Sequence, residues 1–387
     1  MAGGHGEGGR RLIAGALAIA LAACGGSSPG EADAAGGADD ARPADAGPEP
    51  PYLGPVHQLG LLPPLDGLEY NHSNEVQLAV SGDRVAVAYL NLHFVSADDF
   101  AVDDTFIRTL GVAVSEDGGA SYDPPAAAPL GRQPTDPNLR VDPEGSFWLG
   151  TFDFDTISSG GQGLIARSDD ARSWTPVVEG EDFGDKNWMA IDPESGEVFV
   201  AAIAGWWRIA GGAITRDATD AGQLVGGYAR GGTAAFIATS GQVLRWDGET
   251  APTSEPPPAP VGATFFHTVS MPLGATADGG EWFLRPTGDT TAAPLMLHHA
   301  PAAGAASDVP LTAADAITFL PAADLDDQRR LHVVYYESSG TAGRLLYTHS
   351  LSSDLAGGFS DPLVIDPEAT PALFFPDIDT PSGARRR

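Results

Sequence analysis

Apolar residues in this chain come in short bursts, each halted by Gly, Pro, Asp or Asn. Arg84–Leu92 (RVAVAYLNL), Ser146–Phe152 (SFWLGTF), Glu197–Ile203 (EVFVAAI) and Leu331–Glu337 (LHVVYYE) are rich in β-branched and aromatic residues. That composition fits a pleated, half-buried surface and predicts strands. No long stretch carries a helical period with caps at its ends. The 49 glycines and 32 prolines supply the many short connections that such a chain needs. The pattern predicts an all-β protein.

The bursts recur in phrases. Asp142-Pro-Glu-Gly145 precedes one strand and Asp192-Pro-Glu-Ser-Gly196 another, while Ser81-Gly82-Asp83 and Asp324-Leu-Asp-Asp327 precede two more. Each phrase reads as a hairpin: apolar strand, polar turn, second strand. A second unit, Ser115-Glu-Asp117-Gly-Gly119-Ala-Ser121-Tyr122, follows the apolar run Leu110–Val114 and returns after Leu164–Ala166 as Ser168-Asp-Asp170-Ala-Arg-Ser173-Trp174. A hairpin phrase repeating at roughly 40–50 residues is the spacing of a propeller blade. Four-stranded blades follow. Their inner strands are expected near Glu75–Val80, Pro137–Val141, Trp188–Ile191, Val225–Phe236, Phe265–Ser270 and Ile317–Leu320. Six blades fit best. Phe374-Phe-Pro-Asp377 resembles a seventh phrase, which either closes the ring or opens a seventh blade; Val56–Leu62 is expected to join the first blade to the last.

The Ser-x-Asp turns resemble the Asp-box, or BNR repeat, of sialidase-like β-propellers, Ser/Thr-x-Asp-x-Gly-x-x-aromatic. Ser115, Asp117, Gly119 and Tyr122 match fully; Ser168, Asp170 and Trp174 match with Arg172 in the glycine slot, and Ser350–Phe359 resembles a degenerate third copy. Asp185-Lys-Asn-Trp-Met-Ala-Ile-Asp192-Pro is also similar to a phrase of bacterial BNR proteins. The resemblance implies a sialidase-like propeller with these turns on the outer rim, where they are architectural. The Asp carboxylate accepts from turn N–H groups, and the aromatic packs between sheets.

The N-terminus changes the picture of where the protein works. Arg10 and Arg11 precede an apolar run, Leu12–Ala23, which is too short to span a bilayer and reads as a signal peptide. It ends Leu-Ala-Ala-Cys24, similar to a bacterial lipobox, which implies diacylation of Cys24, the sole cysteine. Residues 25–51, nearly all Gly, Ala, Ser, Pro and acidic, read as a flexible tether, and 52–387 as the propeller domain. The formal net charge of −31 argues against nucleic acid and anionic lipid as partners. The expected partners are a membrane, through the lipid, and a glycan or protein ligand; the chain is expected to be a monomer.

Candidate chemistry gathers where inner strands begin, because a propeller binds ligands at one mouth of its central channel. The polar residues there are Glu75, Asp136, Asp185, Lys186, His267 and Asp377. They predict a largely acidic funnel. The resemblance would imply an arginine triad, a Tyr–Glu nucleophile pair and an Asp acid/base for a sialidase, but the family's Arg-Ile-Pro phrase is missing and Arg208-Ile-Ala stands elsewhere. Tyr336 and Glu337, adjacent on a strand, should face opposite ways. Asp98-Asp99, Asp103-Asp104, Asp153, Asp155, Asp324 and Asp326-Asp327 offer oxygen ligands for Ca²⁺, but nothing matches an EF-hand loop, and no cofactor is expected. His298-His299 lacks nearby partners for zinc. Three functions follow in order: a binding propeller, an exo-α-sialidase-type glycoside hydrolase, and a structural or assembly factor.

Overall fold

The computed structural model describes residues 17–18, 57–59, 62, 70–94, 107–131, 133–153, 161–258, 270–288, 292–338, 343–366 and 377–379. Every regular element among them is a strand, and no helix is long and apolar enough to cross a membrane. The pair β1 (Leu17–Ala18) and β2 (His57–Gln58) forms a ladder of its own. All other strands fall into six antiparallel four-stranded sheets in consecutive order. The architecture is a six-bladed β-propeller.

Blade I comprises β3 (Tyr70–Ser81), β4 (Arg84–Phe94), β5 (Ile107–Ser115) and β6 (Ala126–Ala128). Blade II comprises β7 (Pro134–Val141), β8 (Phe147–Asp153), β9 (Gln162–Ser168) and β10 (Thr175–Asp182). Blade III holds β11 (Trp188–Ile191), β12 (Val198–Ala202), β13 (Gly205–Ala210) and β14 (Ala213–Asp217). Blade IV holds β15 (Leu224–Arg230), β16 (Thr233–Ala238), β17 (Val243–Trp246) and β18 (Thr253–Glu255). Blade V is built from β19 (Leu273–Ala275), β20 (Glu281–Pro286), β21 (Leu295–Ala300) and β22 (Ser307–Pro310). Blade VI is built from β23 (Ile317–Leu325), β24 (Leu331–Ser338), β25 (Gly343–His349) and β26 (Leu363–Asp366).

Burial explains the blade. The second strands β4, β8, β12 and β16 are buried on both faces and read as continuous apolar runs, whereas the outer strands β14 and β18 are almost wholly exposed. Cores lie between blades. Ala86 and Ala88 of blade I meet Leu139, Phe147 and Leu149 of blade II; Phe199 and Trp206 of blade III meet Phe236 and Trp246 of blade IV. At the first boundary small residues receive large ones; at the second, aromatic rings meet aromatic rings.

The hairpins between first and second strands are fastened by one buried acid each in three blades. Asp142 accepts from Ser146 N and from Trp148 Nε1. Asp192 accepts from Glu194 N and, across the blade boundary, from Gly232 N at 2.7 Å. Asp326 accepts from Gln328 N and Arg330 N. The sequence phrase in blade VI is therefore centred on Asp326, two residues later than Asp324.

Two further expectations need correcting, and a third falls largely outside the described residues. Val225–Phe236 is two strands, β15 and β16, joined by a turn at Gly231 and Gly232, both at positive φ. The first described strand of blade V is β19, whose three-residue run Leu-Gly-Ala carries almost no strand signal, while the expected strand Phe265–Ser270 lies outside the described residues except for Ser270. His57–Gln58 pairs with β1, not with the last blade, and Leu59 packs into the core of blade I. The ring closes instead through residues 377–379. Ile378 packs on Ala322, Val334 and Tyr347 of blade VI, while Asp377 and Asp379 bond to blade I.

Candidate functional site at the channel mouth

Two of the residues expected at the mouth sit on a repeated irregularity in the inner strands. The register of β3 shifts between Asn74 and Gln77, of β7 between Thr135 and Asn138, and of β23 between Phe319 and Ala322. In each bulge one non-glycine residue adopts left-handed backbone: Glu75 at φ 52°, Asp136 at φ 46° and Leu320 at φ 49°. Such a conformation costs on the order of 1 kcal/mol and persists only where the surroundings hold it. Bulges re-aim side chains next to binding sites. Here two of the three re-aimed side chains are carboxyls.

Glu75 and Asp136 lie together. Burial, then the charge and hydrogen bonding of Asp136, push the Glu75 carboxyl well above its ordinary value, with Lys186 working the other way. Glu75 Oε2 is enclosed without a hydrogen-bond partner. Asp185 is raised too, by burial and then by Asp136, against the N–H of Lys186, which it accepts at 2.8 Å. The Lys186 ammonium sits 5.6 Å from the centre of the Trp188 ring, a cation–π distance. Blades I, II and III therefore bring Glu75, Asp136, Asp185 and Lys186 into one electrostatic group. Beside it, Asn138 and Asn187 are both fully buried, and none of their four amide atoms has a partner.

The remaining predicted mouth residues divide. His267 lies outside the described residues, as does Cys24. Asp377 sits deeper along β3, accepting from Leu78 N at 2.7 Å. Burial raises it to about 6, offset by Arg140 and the Leu78 N–H.

The Ser-x-Asp turns connect third to fourth strands. Ser115 Oγ donates to Asp117 Oδ1 and accepts from Gly119 N, whose φ of 87° suits glycine. Ser121 N and Oγ donate to the same carboxylate, and these bonds pull Asp117 down to about 2. In the second turn Ser168 Oγ donates to Asp170 Oδ1, and Arg172 N and Ser173 N donate to the same oxygen. Although burial works the other way, these bonds bring Asp170 to about 2. Tyr122 packs on the core of blade I and Trp174 on the core between blades I and II. Ser352 and Asp354 repeat the arrangement in blade VI, with Gly357 N donating to Ser352 Oγ.

Tyr336 is buried against Leu320 and Leu345, while Glu337 turns to Arg344, so the two face apart. Sequence reasoning missed a different tyrosine–glutamate contact. Tyr228 donates to Glu281, and Arg245 bonds to both and to Glu255. Burial and Glu281 raise the phenol, while Arg245 and Tyr228 lower Glu281 against its burial. This trio ties the inner end of blade IV to blade V, beside a cleft of about 300 Å³ lined by Leu273, Phe283, His298 and Pro256–Pro258. Among the described residues no group of three or more His, Cys, Asp or Glu side chains is placed to hold a metal ion.

Fold and mouth define a member of the β-propeller class. Among solved structures the chain is similar to a protein of unknown function from Dyadobacter fermentans (12% identity, TM-score 0.46, covering 82% of this chain and 89% of that one). It is also similar to the leech intramolecular trans-sialidase (9%, TM-score 0.45, 72% and 66%) and to the polysaccharide lyase Uly1 (11%, TM-score 0.42, 71% and 77%). At these identities no residue role passes from them to this chain. No family model matches the chain, and no curated protein matches it.

Proposed function

We propose that this is a lipid-anchored envelope protein whose propeller holds a glycan at the channel mouth. The observation that carries the reading is the convergence of Glu75, Asp136, Asp185 and Lys186 from three successive blades. Converging carboxyls and an ammonium beside an aromatic ring suit a ligand rich in hydroxyls. A channel mouth admits a narrow chain end better than the flat face of a protein, which favours a glycan over a protein partner. Anchorage is read from Cys24 behind Leu21-Ala-Ala, with residues 25–51 as tether to the domain 52–387. The Ser115–Tyr122 and Ser168–Trp174 turns are read as Asp-boxes and as architecture.

The sialidase-type alternative needs an arginine clamp, and five of the described arginines are engaged elsewhere. Arg84 and Arg172 hold Glu116 on the rim, Arg208 holds Glu197, Arg285 holds Asp308 and Arg330 holds Asp326. Binding by the detergent-solubilised full chain to a panel of neutral, amino and acidic oligosaccharides tests the reading. The bound glycan should weaken at least about tenfold in Asp136→Ala and in Lys186→Met, the loss of one charge-assisted hydrogen bond. Absence of any bound glycan, or binding indifferent to both variants, overturns it. Palmitate labelling lost in Cys24→Ser tests the anchor.

A further inference from the structure

Residues 377–379 join the last blade to the first without a backbone ladder. Asp377 Oδ2 accepts from Leu78 N at 2.7 Å, and Asp379 Oδ2 accepts from Val80 N at 2.6 Å. Leu78 and Val80 belong to β3, which pairs with β4 along its other edge. The two N–H groups thus lie on the edge of blade I away from β4, where no strand among the described residues meets them. Ile378, between the two acids, turns away from them and is buried among Ala322, Val334 and Tyr347 of blade VI. Three residues therefore grip two blades, one through carboxyl groups and the other through a buried isoleucine.

Among the described residues, charges of both signs act on this segment from neighbouring blades. Asp324 on β23 acts on both carboxyls from blade VI, and Arg140 on β7 acts on both from blade II. Arg140 also donates to Gln77 Oε1 of blade I and to the Leu139 carbonyl. Three part-buried carboxyls accordingly face the same guanidinium. A protonated carboxyl keeps its carbonyl oxygen, so it still accepts from an N–H group without adding charge.

We propose that residues 377–379 form a pH-sensitive latch, which holds blades VI and I together while the carboxyls carry protons and loosens as they lose them. Burial raises Asp377 to about 6; burial, then the charge of Asp324, raises Asp379 well above the usual carboxylate range. A carboxyl raised in the folded state stabilises the fold fully below its free value near 3.8, and that contribution falls away as pH climbs through the folded value. The contribution of Asp377 to the latch is therefore full below about pH 4, falls between about pH 4 and pH 6, and is gone above that.

Amide hydrogen exchange of the full chain at pH 5 and pH 8, corrected for the intrinsic effect of pH, tests the latch. Protection at Leu78 and Val80 should fall about tenfold or more between the two, as a one-unit pKa displacement requires, while Val198–Ala202 in blade III stays unchanged. Asp379→Asn keeps an acceptor oxygen but cannot ionise, and should flatten the pH response. Asp324→Asn removes a facing charge without touching either bond to β3, so it should flatten the response even if the first variant folds poorly. Protection at Leu78 and Val80 that is equal at both pH values, or lower at pH 5, overturns the proposal.

Discussion

Single acidic side chains organise this protein more than its ion pairs do. Asp192 is fully buried and accepts three backbone hydrogen bonds, one of them from the next blade. Asp192→Ala removes the acceptor of all three part-buried bonds and should cost about 1–2 kcal/mol, read from urea unfolding of the variant against the parent. The acids of the Ser-x-Asp turns respond to pH in the opposite direction from the latch. Asp170, at about 2 in the folded protein, contributes above its free value of 3.8 and loses that contribution as pH falls toward 2. The urea midpoint of the parent should drop between pH 4 and pH 2 by more than that of Asp170→Asn. The sequence disclosed both kinds of acid, because each sits within a few residues of most of the N–H groups it serves, the Gly232 N–H on Asp192 being the exception. It could not disclose the trio of Tyr228, Arg245 and Glu281, spread over 53 residues and joined only when blades IV and V meet.

At the scale of the strand, a glycine stands opposite an aromatic ring again and again. Tyr89 pairs with Gly111, Phe152 with Gly163, Phe236 with Gly227 and Trp282 with Gly274. A Cβ on Gly111 would lie 2.4 Å from the Tyr89 ring, so the ring covers the bare backbone beside it. Gly111→Ala should therefore destabilise by about 1–3 kcal/mol through overpacking, whereas the double variant with Tyr89→Leu should recover part of the loss, as thermal melts would show. Strands were legible wherever β-branched and aromatic residues clustered, as in Arg84–Leu92. They were illegible where the inner strand is short and small, as in Leu273–Ala275, because neighbouring blades bury it whatever its own preference. The mouth was half legible for a related reason. Glu75 and Asp136 stand out only as polar residues ahead of apolar runs, and nothing in that pattern reports the bulges that turn them toward each other.

At the scale of the whole molecule, architecture followed from repeat spacing, since hairpins of equal length stacked face to face must turn about an axis. How the circle closes followed only as one of two alternatives for the segment around Asp377, because it rests on contacts with a sequence separation of 299 residues. Removing residues 377–387 should lower the melting temperature and expose the faces of blades I and VI, seen as new binding of a hydrophobic dye. An unchanged melt would show that the two blades hold each other directly.

The position of that closing contact also dictates timing. A chain made from its N-terminus can stack blade upon blade as each hairpin emerges, but Leu78 and Val80 must wait for Asp377 and Asp379 at the far end. Until then the molecule is an open arc with two unmatched apolar ends, the state most exposed to pairing with a sibling. Arrested nascent chains that stop short of Asp377 should be far more sensitive to protease at blade I than chains extended past Asp379, and the last step of folding should be the slowest, as its loop-closure entropy demands.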